Sequence, residues 1–182
     1  MLGKDQEKKI IILNRDCQAL LVPSGSRIML HAGTEVAVTQ SLGESYTVNV
    51  YGNLARIDGK DADALGKIPT NPLANLPKNA SIEDQVWLQL HGVYDPEIPV
   101  NIVDLGLVYD CNITPDKKQY HVKIVMTLTA PGCGMGPVIA LDAKQKILAI
   151  PTVKTVDIDI VFDPPWDQSK MSDTAKLELG ML

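Results

Sequence analysis

The sequence predicts an α+β protein with two domains. Residues 1–66 form a small all-β, barrel-like domain, and residues 81–182 form an α-β-β-α-β-α domain on a small mixed sheet. Three observations support this prediction: short β-rich segments with regular turns, a proline-rich stretch, and then apolar residues at helical and strand spacings in turn. The proline-rich stretch, residues 67–80, can continue neither a helix nor a central strand, so we assign it as the linker.

In the first domain, clusters of turn residues recur about every ten residues between Cys17 and Ile57. This spacing is typical of a small barrel or sandwich, here with about five strands. Val36 and Val38 alternate with polar residues, which indicates that one face of the strand is buried. A short helical turn is expected over residues 62–65.

The second domain begins with a helix that Ser81 caps, and Asp84 three residues later makes a capping box. We expect this helix to end at Asp95, because the residue before a proline is disfavoured in a helix. Two strands joined by a turn near residue 116 follow, and in the second Val122, Ile124 and Met126 should share one buried face. A helix with an apolar stripe from Met135 to Ile150, a third strand that points Phe162 inward at its end, and a last short helix complete the order.

A glycine-rich turn stands between the second strand and the next helix and carries one thiol. Gly132, Gly134 and Gly136 surround Cys133 and leave room for a close approach to the main chain. The thiol lies at a helix start, where the helix dipole favours the thiolate. Packing does not readily explain a cysteine among glycines, so Cys133 is the main candidate functional residue.

Topology predicts that acidic residues gather beside this turn. In a hairpin the start of the first strand lies beside the end of the second, so Asp104 should lie near Ala130 and Cys133. The third strand returns by a parallel crossover, which should bring Asp163 and Trp166 to the same edge.

The loop before the first strand should contribute two more carboxylates, Asp95 and Glu97. Each candidate also has a structural interpretation. Asp95 and Asp104 stand where aspartates commonly make turns or caps, and Trp166 could simply cover the edge of the core.

Composition excludes several classes of partner. The net charge is −5 without a Lys/Arg cluster, which argues against nucleic acid. Neither a signal peptide nor a run of about 18 apolar residues is present, so we expect a cytoplasmic protein with no membrane partner. The three cysteines are widely spaced and fit reduced thiols, and Cys17 and Cys111 are interpreted as small buried hydrophobic residues.

Three functions fit a lone thiol with acidic neighbours. A thiol hydrolase needs a base, and His31, His91 and His121 are not spaced to serve Cys133, so this function ranks last. A cation accommodates thiolate and carboxylates together. Because a cluster normally needs about four ligands, one thiol would hold iron or a cluster only transiently, shared with a client protein or across a homodimer. This favours a non-enzymatic delivery factor without a stable cofactor; an adaptor that never binds iron is the alternative.

Three separated runs resemble the metal-sulfur cluster biosynthesis domain family: Asp95–Tyr109, Thr127–Pro137 and Phe162–Trp166. The resemblance covers nearly all of residues 81–182. It implies an accessory role in iron–sulfur cluster maturation, with the assembly machinery and apo client proteins as partners. It also implies that Cys133 is the reactive cysteine.

Within the same resemblance, Asp95, Glu97 and Asp104 match the acidic motif of the family. In the first domain, Val22–Gly25 and Gly52–Ala62 resemble an amino-terminal extension that single-domain members of the family lack.

Overall fold

The computed structural model describes residues 9–42, 45–95, 98–132 and 134–182. The chain divides into two compact units, Met1–Asn71 and Pro72–Leu182. The division falls inside the proline-rich stretch 67–80, which also holds a single 3₁₀ turn at Pro72–Asn75. The exact linker bounds stay a prediction.

The first unit is built on a six-stranded antiparallel sheet. Its strands are β1 (Lys9–Ile12), β2 (Cys17–Val22), β3 (Arg27–Leu30), β4 (Glu35–Leu42), β5 (Ser45–Val50) and β6 (Asn53–Asp58). Across the sheet they stand in the order β1-β4-β5-β6-β2-β3. Sequence reasoning found the five strands from Cys17 onward but missed β1, which precedes the segment that carries the regular turns. β1 and β3 stand at the two ends of the strand order, and closure into a barrel stays a prediction.

The core of the first unit lies on one face of this sheet. It contains Val36, Val48, Ala55 and Ile57, each at most 1% exposed. After β6, the chain forms a 3₁₀ helix at Gly59–Leu65, which includes the helical turn predicted over residues 62–65. This helix buries Ala64 and Leu65 against the same core.

The second unit contains a three-stranded mixed sheet and three α-helices. In chain order the elements are α1 (Ile82–His91), β7 (Val108–Asp116), β8 (Gln119–Met126), α2 (Gly136–Leu148), β9 (Val153–Ile160) and α3 (Asp173–Glu178). β7 and β8 pair antiparallel, and β8 and β9 pair parallel. The α+β class and the small mixed sheet are therefore as predicted.

Helix α1 starts where the sequence predicts and ends earlier. The backbone N–H of Asp84 donates to Ser81 Oγ, and that of Ser81 donates to Asp84 Oδ2, so the capping box is complete. The predicted end at Asp95 is wrong, because the helix stops at His91. The chain becomes extended instead, and the N–H of Ile102 donates to Val93 O at 2.8 Å.

The core of the second unit lies between one face of the sheet and helices α1 and α2. Along β8 the predicted apolar face is confirmed, since Val122, Ile124 and Met126 are fully buried. Helix α2 packs against β9 and α1. Every residue of the predicted stripe is buried: Met135, Ile139, Ala143, Ile147 and Ile150. Within the described parts of the chain, no helix is long and apolar enough to cross a membrane.

The last strand is shorter than the sequence suggests. β9 ends at Ile160, and Phe162, which was predicted to point inward, is 45% exposed. The alternation of apolar residues continues past the point at which strand pairing stops, so the pattern overstates the strand.

Candidate functional site

The candidate site lies at one edge of the three-stranded sheet. Met126 and Ile160 are register partners at the ends of the parallel strands β8 and β9. Just beyond them the N–H of Val161 donates to Met126 O, and that of Thr127 donates to Leu107 O, both at 2.8 Å. Three segments therefore leave from this edge: the loop 98–107, the glycine-rich turn 129–135 and the segment 161–172.

The glycine-rich turn stands on a packed base. Gly132 has φ +78°, a left-handed conformation that favours glycine. Among the described residues, a Cβ placed on Gly132 or Gly134 would meet nothing within 4 Å beyond its chain neighbours. Met135 and Gly136 at the base are buried. A Cβ on Gly136 would come 2.5 Å from Leu128 Cδ1, so this glycine allows α2 to start close to the end of β8. Cys133 lies outside the described residues.

Asp104 is tied into the fold by both carboxylate oxygens. Asn101 Nδ2 donates to Oδ2 at 2.6 Å, and Ser172 Oγ donates to Oδ1 at 2.9 Å. The backbone N–H of Ser172 also donates to Asp104 O at 2.8 Å. These contacts join the loop 98–107 to the start of α3 and support the structural interpretation of this aspartate.

Two aromatic side chains hold the segment 161–172 against the loop 98–107 and the start of β7. Trp166 Nε1 donates to Leu105 O at 2.7 Å, and Tyr109 OH donates to Pro164 O at 2.8 Å. Trp166 is half-buried, and Asp163 is exposed beside it, just before a cis peptide bond to Pro164. Trp166 thus covers the loop, while the carboxylate of Asp163 faces solvent.

Asp95 is a turn residue in the structure. It is 5% exposed; its Oδ1 accepts from the N–H of Ile98 at 3.1 Å, and its own N–H donates to Val100 O at 3.2 Å. The carboxylate therefore stabilises the turn at the start of the loop. Glu97 lies outside the described residues.

Asp104 was predicted to approach Ala130 on the assumption that the pairing of β7 with β8 continues back to Asp104. The pairing stops before Asp104 is reached. Pairing ends with Val108 opposite Met126, and one further bond joins Thr127 to Leu107. Residues 102–106 form turns, so Asp104 bonds to Ser172 instead of following β8. Within residues 9–42, 45–95, 98–132 and 134–182, no group of three or more His, Cys, Asp or Glu is arranged to hold a metal.

The two described cysteines are poor ligands at neutral pH. Cys17 is 3% exposed, and burial, followed by the charge of Asp61, raises the pKa of its thiol. Cys111 is half-buried rather than fully buried as predicted; burial, then repulsion from Glu83 and Asp110, raises its pKa to about 11. Both groups are therefore thiols rather than thiolates in neutral solution.

The three histidines have contacts of their own. His31 Nδ1 lies 3.2 Å from Asp16 Oδ2, and His91 Nδ1 lies 2.7 Å from Trp87 O. His121 contacts Thr155 Oγ1, and its Nε2 lies 3.2 Å from Asp157 Oδ2. Each of the three histidines therefore has a contact within the described part of its own unit.

Thr127 follows β8 at the candidate site, and the sequence analysis included it only as the first residue of the run Thr127–Pro137, without a role of its own. Its side chain is fully buried, and its Oγ1 is the one buried side-chain oxygen or nitrogen without a hydrogen-bond partner among the described residues. A threonine after a strand reads as an ordinary surface position, so the pattern gave no signal.

We expect Thr127→Val to stabilise the protein by about 1 kcal/mol, because a buried hydroxyl without a partner keeps its desolvation cost. Urea denaturation followed by tryptophan fluorescence measures this change. Thr129→Val, at a half-buried position two residues on, is the control and should have little effect. A loss of stability in Thr127→Val would show that the hydroxyl has a partner in solution.

Comparisons with known proteins agree with this architecture in the second unit. Residues 83–158 match the family described as "Iron-sulfur cluster assembly protein". A Porphyromonas gingivalis protein named "Fe-S protein maturation auxiliary factor" is 44% identical over 100 residues, which are 55% of this chain and 92% of that protein. "Fe-S protein maturation auxiliary factor YitW" from Bacillus subtilis is 40% identical over 101 residues, 56% of this chain and 96% of its own.

A third relative, "Fe-S protein maturation auxiliary factor SufT" from Staphylococcus aureus, is 40% identical over 89 residues, 49% of this chain and 98% of its own. Because these relatives are matched over almost their whole length, about half of this chain has no counterpart in them. The resemblance of the first unit to an amino-terminal extension thus stays a prediction. The family, by contrast, matches residues 83–158 of the second unit, and the relatives match about half of the chain at 40% identity or more. The chain therefore belongs to the iron–sulfur cluster assembly protein family, as a SufT-like member.

Proposed function

We propose that the chain performs its accessory role in iron–sulfur cluster assembly by passing iron or a cluster to apo-proteins through Cys133. The cargo is held transiently, and the assembly machinery and apo clients are the partners. The observation that carries this proposal is the space around the glycine-rich turn, where the Cβ positions of Gly132 and Gly134 have no described atom beyond their chain neighbours within 4 Å. A client or a cluster can approach such a turn closely.

The other cysteines support this assignment by their chemistry. A thiolate, not a thiol, is the ligand for iron, and the raised pKa values of Cys17 and Cys111 keep both protonated at neutral pH. Cys133 precedes the first turn of the thirteen-residue helix α2, where the dipole favours a thiolate.

Of the acidic residues, Asp163 is the best candidate to assist Cys133. It is exposed and follows β9 at the same sheet edge from which the glycine-rich turn leaves β8. Asp95 and Asp104 instead support the loop, because their carboxylates accept hydrogen bonds within the fold. No stable cofactor and no catalytic turnover belong to this proposal.

The test is anaerobic reconstitution with iron and sulfide, followed by transfer to an apo-acceptor. We expect Cys133→Ser to lose iron loading and transfer by at least tenfold, since a serine hydroxyl stays protonated at neutral pH. Cys111→Ser is the matched control and should behave as the wild type. Equal transfer by Cys133→Ser and wild type would overturn the proposal.

A second candidate is an adaptor that docks the assembly machinery onto clients without binding iron. The engagement of Asp104 within the fold favours it, because both carboxylate oxygens of this residue already accept hydrogen bonds from Asn101 and Ser172. In this case Cys133→Ser should still mature client enzymes in cells and retain its bound partners. The two candidates thus predict opposite outcomes for the same variant.

A further inference from the structure

Asp163 is an exposed residue on a backbone that is anchored on both sides. Before it, the N–H of Val161 donates to Met126 O at 2.8 Å. Directly after it, Pro164 O accepts from Tyr109 OH, also at 2.8 Å. The main chain at Asp163 therefore has little freedom, although its carboxylate is open to solvent.

Tyr109, which supplies one of these anchors, is itself fixed in the fold. It belongs to β7, which pairs with β8 along its whole length. Its half-buried ring lies under a cation, since Lys170 Nζ is 5.0 Å from the ring centroid, within the range of a cation–π attraction. The segment 161–172 thus contacts Tyr109 twice, at Pro164 through the hydroxyl and at Lys170 through the ring.

The hydroxyl of Tyr109 acts closer to Asp163 than the other aromatic anchor does. Trp166 Nε1 donates to Leu105 O at 2.7 Å and so holds a point further along the segment. Tyr109 holds the residue next to Asp163. Because an aspartate side chain is short, the position of its carboxylate follows that of its backbone, and a hydrogen bond to the adjacent residue fixes both.

We propose that Tyr109 is a positioning residue for the transfer of iron: its hydroxyl holds Pro164 so that Asp163 stands at the sheet edge from which the glycine-rich turn leaves β8. The inference rests on the proposed role of Cys133 and adds to that thiol an oxygen ligand that is in place before the iron arrives. Carboxylates serve as ligands of ferrous iron in proteins. A ligand that is held in advance loses less freedom on binding, so the affinity for iron is higher.

Tyr109→Phe tests the inference, because it removes the hydroxyl and keeps the ring beside Lys170. We expect this variant to bind ferrous iron about threefold to tenfold more weakly, the range that the loss of one hydrogen bond produces. Anaerobic titration of the full chain with ferrous iron against a competing chelator measures the dissociation constant. Ser172→Ala is the matched control: it removes the bond to Asp104, which holds the far end of the same segment, and should bind iron like the wild type.

A double-mutant cycle separates positioning from a merely structural role. Asp163→Asn should also weaken the binding of ferrous iron, and adding Tyr109→Phe to it should weaken binding no further, because Tyr109 acts through the carboxylate. If Tyr109 only stabilises the fold, Tyr109→Phe lowers the free energy of unfolding in urea and leaves the dissociation constant unchanged, which would overturn the inference. Equal losses of affinity with and without the Asp163 carboxylate would overturn it as well.

The same titration distinguishes this inference from the proposed function. If Cys133→Ser loses iron and Tyr109→Phe does not, the inference fails and the role of Cys133 stands. If Cys133→Ser binds iron like the wild type while Tyr109→Phe binds it more weakly, the role of Cys133 fails and Tyr109 still positions a ligand. A wild-type chain that binds no ferrous iron would overturn the inference, whereas transfer of a cluster reconstituted with sulfide would still support Cys133.

Discussion

Gly106→Ala is expected to destabilise the second unit by about 3 kcal/mol. Gly106 has φ +74°, and a Cβ there would come 2.1 Å from the backbone oxygen of Lys170. The left-handed conformation alone costs a non-glycine residue about 1–2 kcal/mol, and forcing extra volume into a packed contact costs a further 1–3 kcal/mol or so. The clash is with backbone rather than a flexible side chain, so the loop 98–107 and the segment 161–172 would have to move apart.

Urea denaturation followed by tryptophan fluorescence tests this expectation. Both tryptophans, Trp87 and Trp166, belong to the second unit, so the signal reports on that unit. Gly132→Ala is the matched control. It has a similar φ of +78°, but a Cβ there would meet no described residue within 4 Å, so the variant should lose only the 1–2 kcal/mol or so of the conformational cost. Equal losses in the two variants would mean that the contact with Lys170 does not matter.

The same glycine shows what a sequence pattern can and cannot reveal. Regular alternation predicted the sheet and the buried face of β8, because one buried face imposes a period of two on the strand itself. The contact of Gly106 with Lys170 joins residues 64 positions apart, and no local pattern encodes it. The glycine-rich turn was found because its three glycines fall within five consecutive residues, whereas Gly106 has no other glycine near it in the sequence.

The errors at the ends of elements have a related cause. α1 was expected to reach Asp95, but the bridge between Tyr94 and Asn101 competes with the helix after Gly92. The apolar alternation through Phe162 overstated β9, since apolar residues recur whether or not a neighbouring strand is available to pair. Strand β1 was missed for the opposite reason: a run of consecutive isoleucines shows no alternation, although the strand lies at an exposed edge.

At the candidate site, topology placed segments better than it placed side chains. The parallel pairing of β8 with β9 brings the glycine-rich turn and the segment with Asp163 to one sheet edge, as connection rules predict. The orientation of Asp104 was not predictable, because it depends on Asn101 and Ser172, and Ser172 lies 68 positions away. The roles of Cys133 and its acidic neighbours stay a proposal, and Asp104 offers a direct way to separate a structural carboxylate from a ligand.

Asp104→Ala is expected to lower the free energy of unfolding of the second unit by about 2–3 kcal/mol. The substitution leaves Asn101 Nδ2 and Ser172 Oγ without an acceptor. A hydrogen bond to a charged group contributes about 1.5–3 kcal/mol. Ser172→Ala removes one of these bonds from the other side and leaves the carboxylate in place. If Asp104 is structural, both variants should be less stable by urea denaturation, yet both should load iron like the wild type at a temperature at which they are folded. If Asp104 is a ligand, only Asp104→Ala should lose iron, and the structural interpretation would then be wrong. Since the hydroxyl of Ser172 also caps α3 by accepting from Ala175 N at 3.1 Å, its variant matches the stability loss closely enough for iron loading alone to separate the two roles.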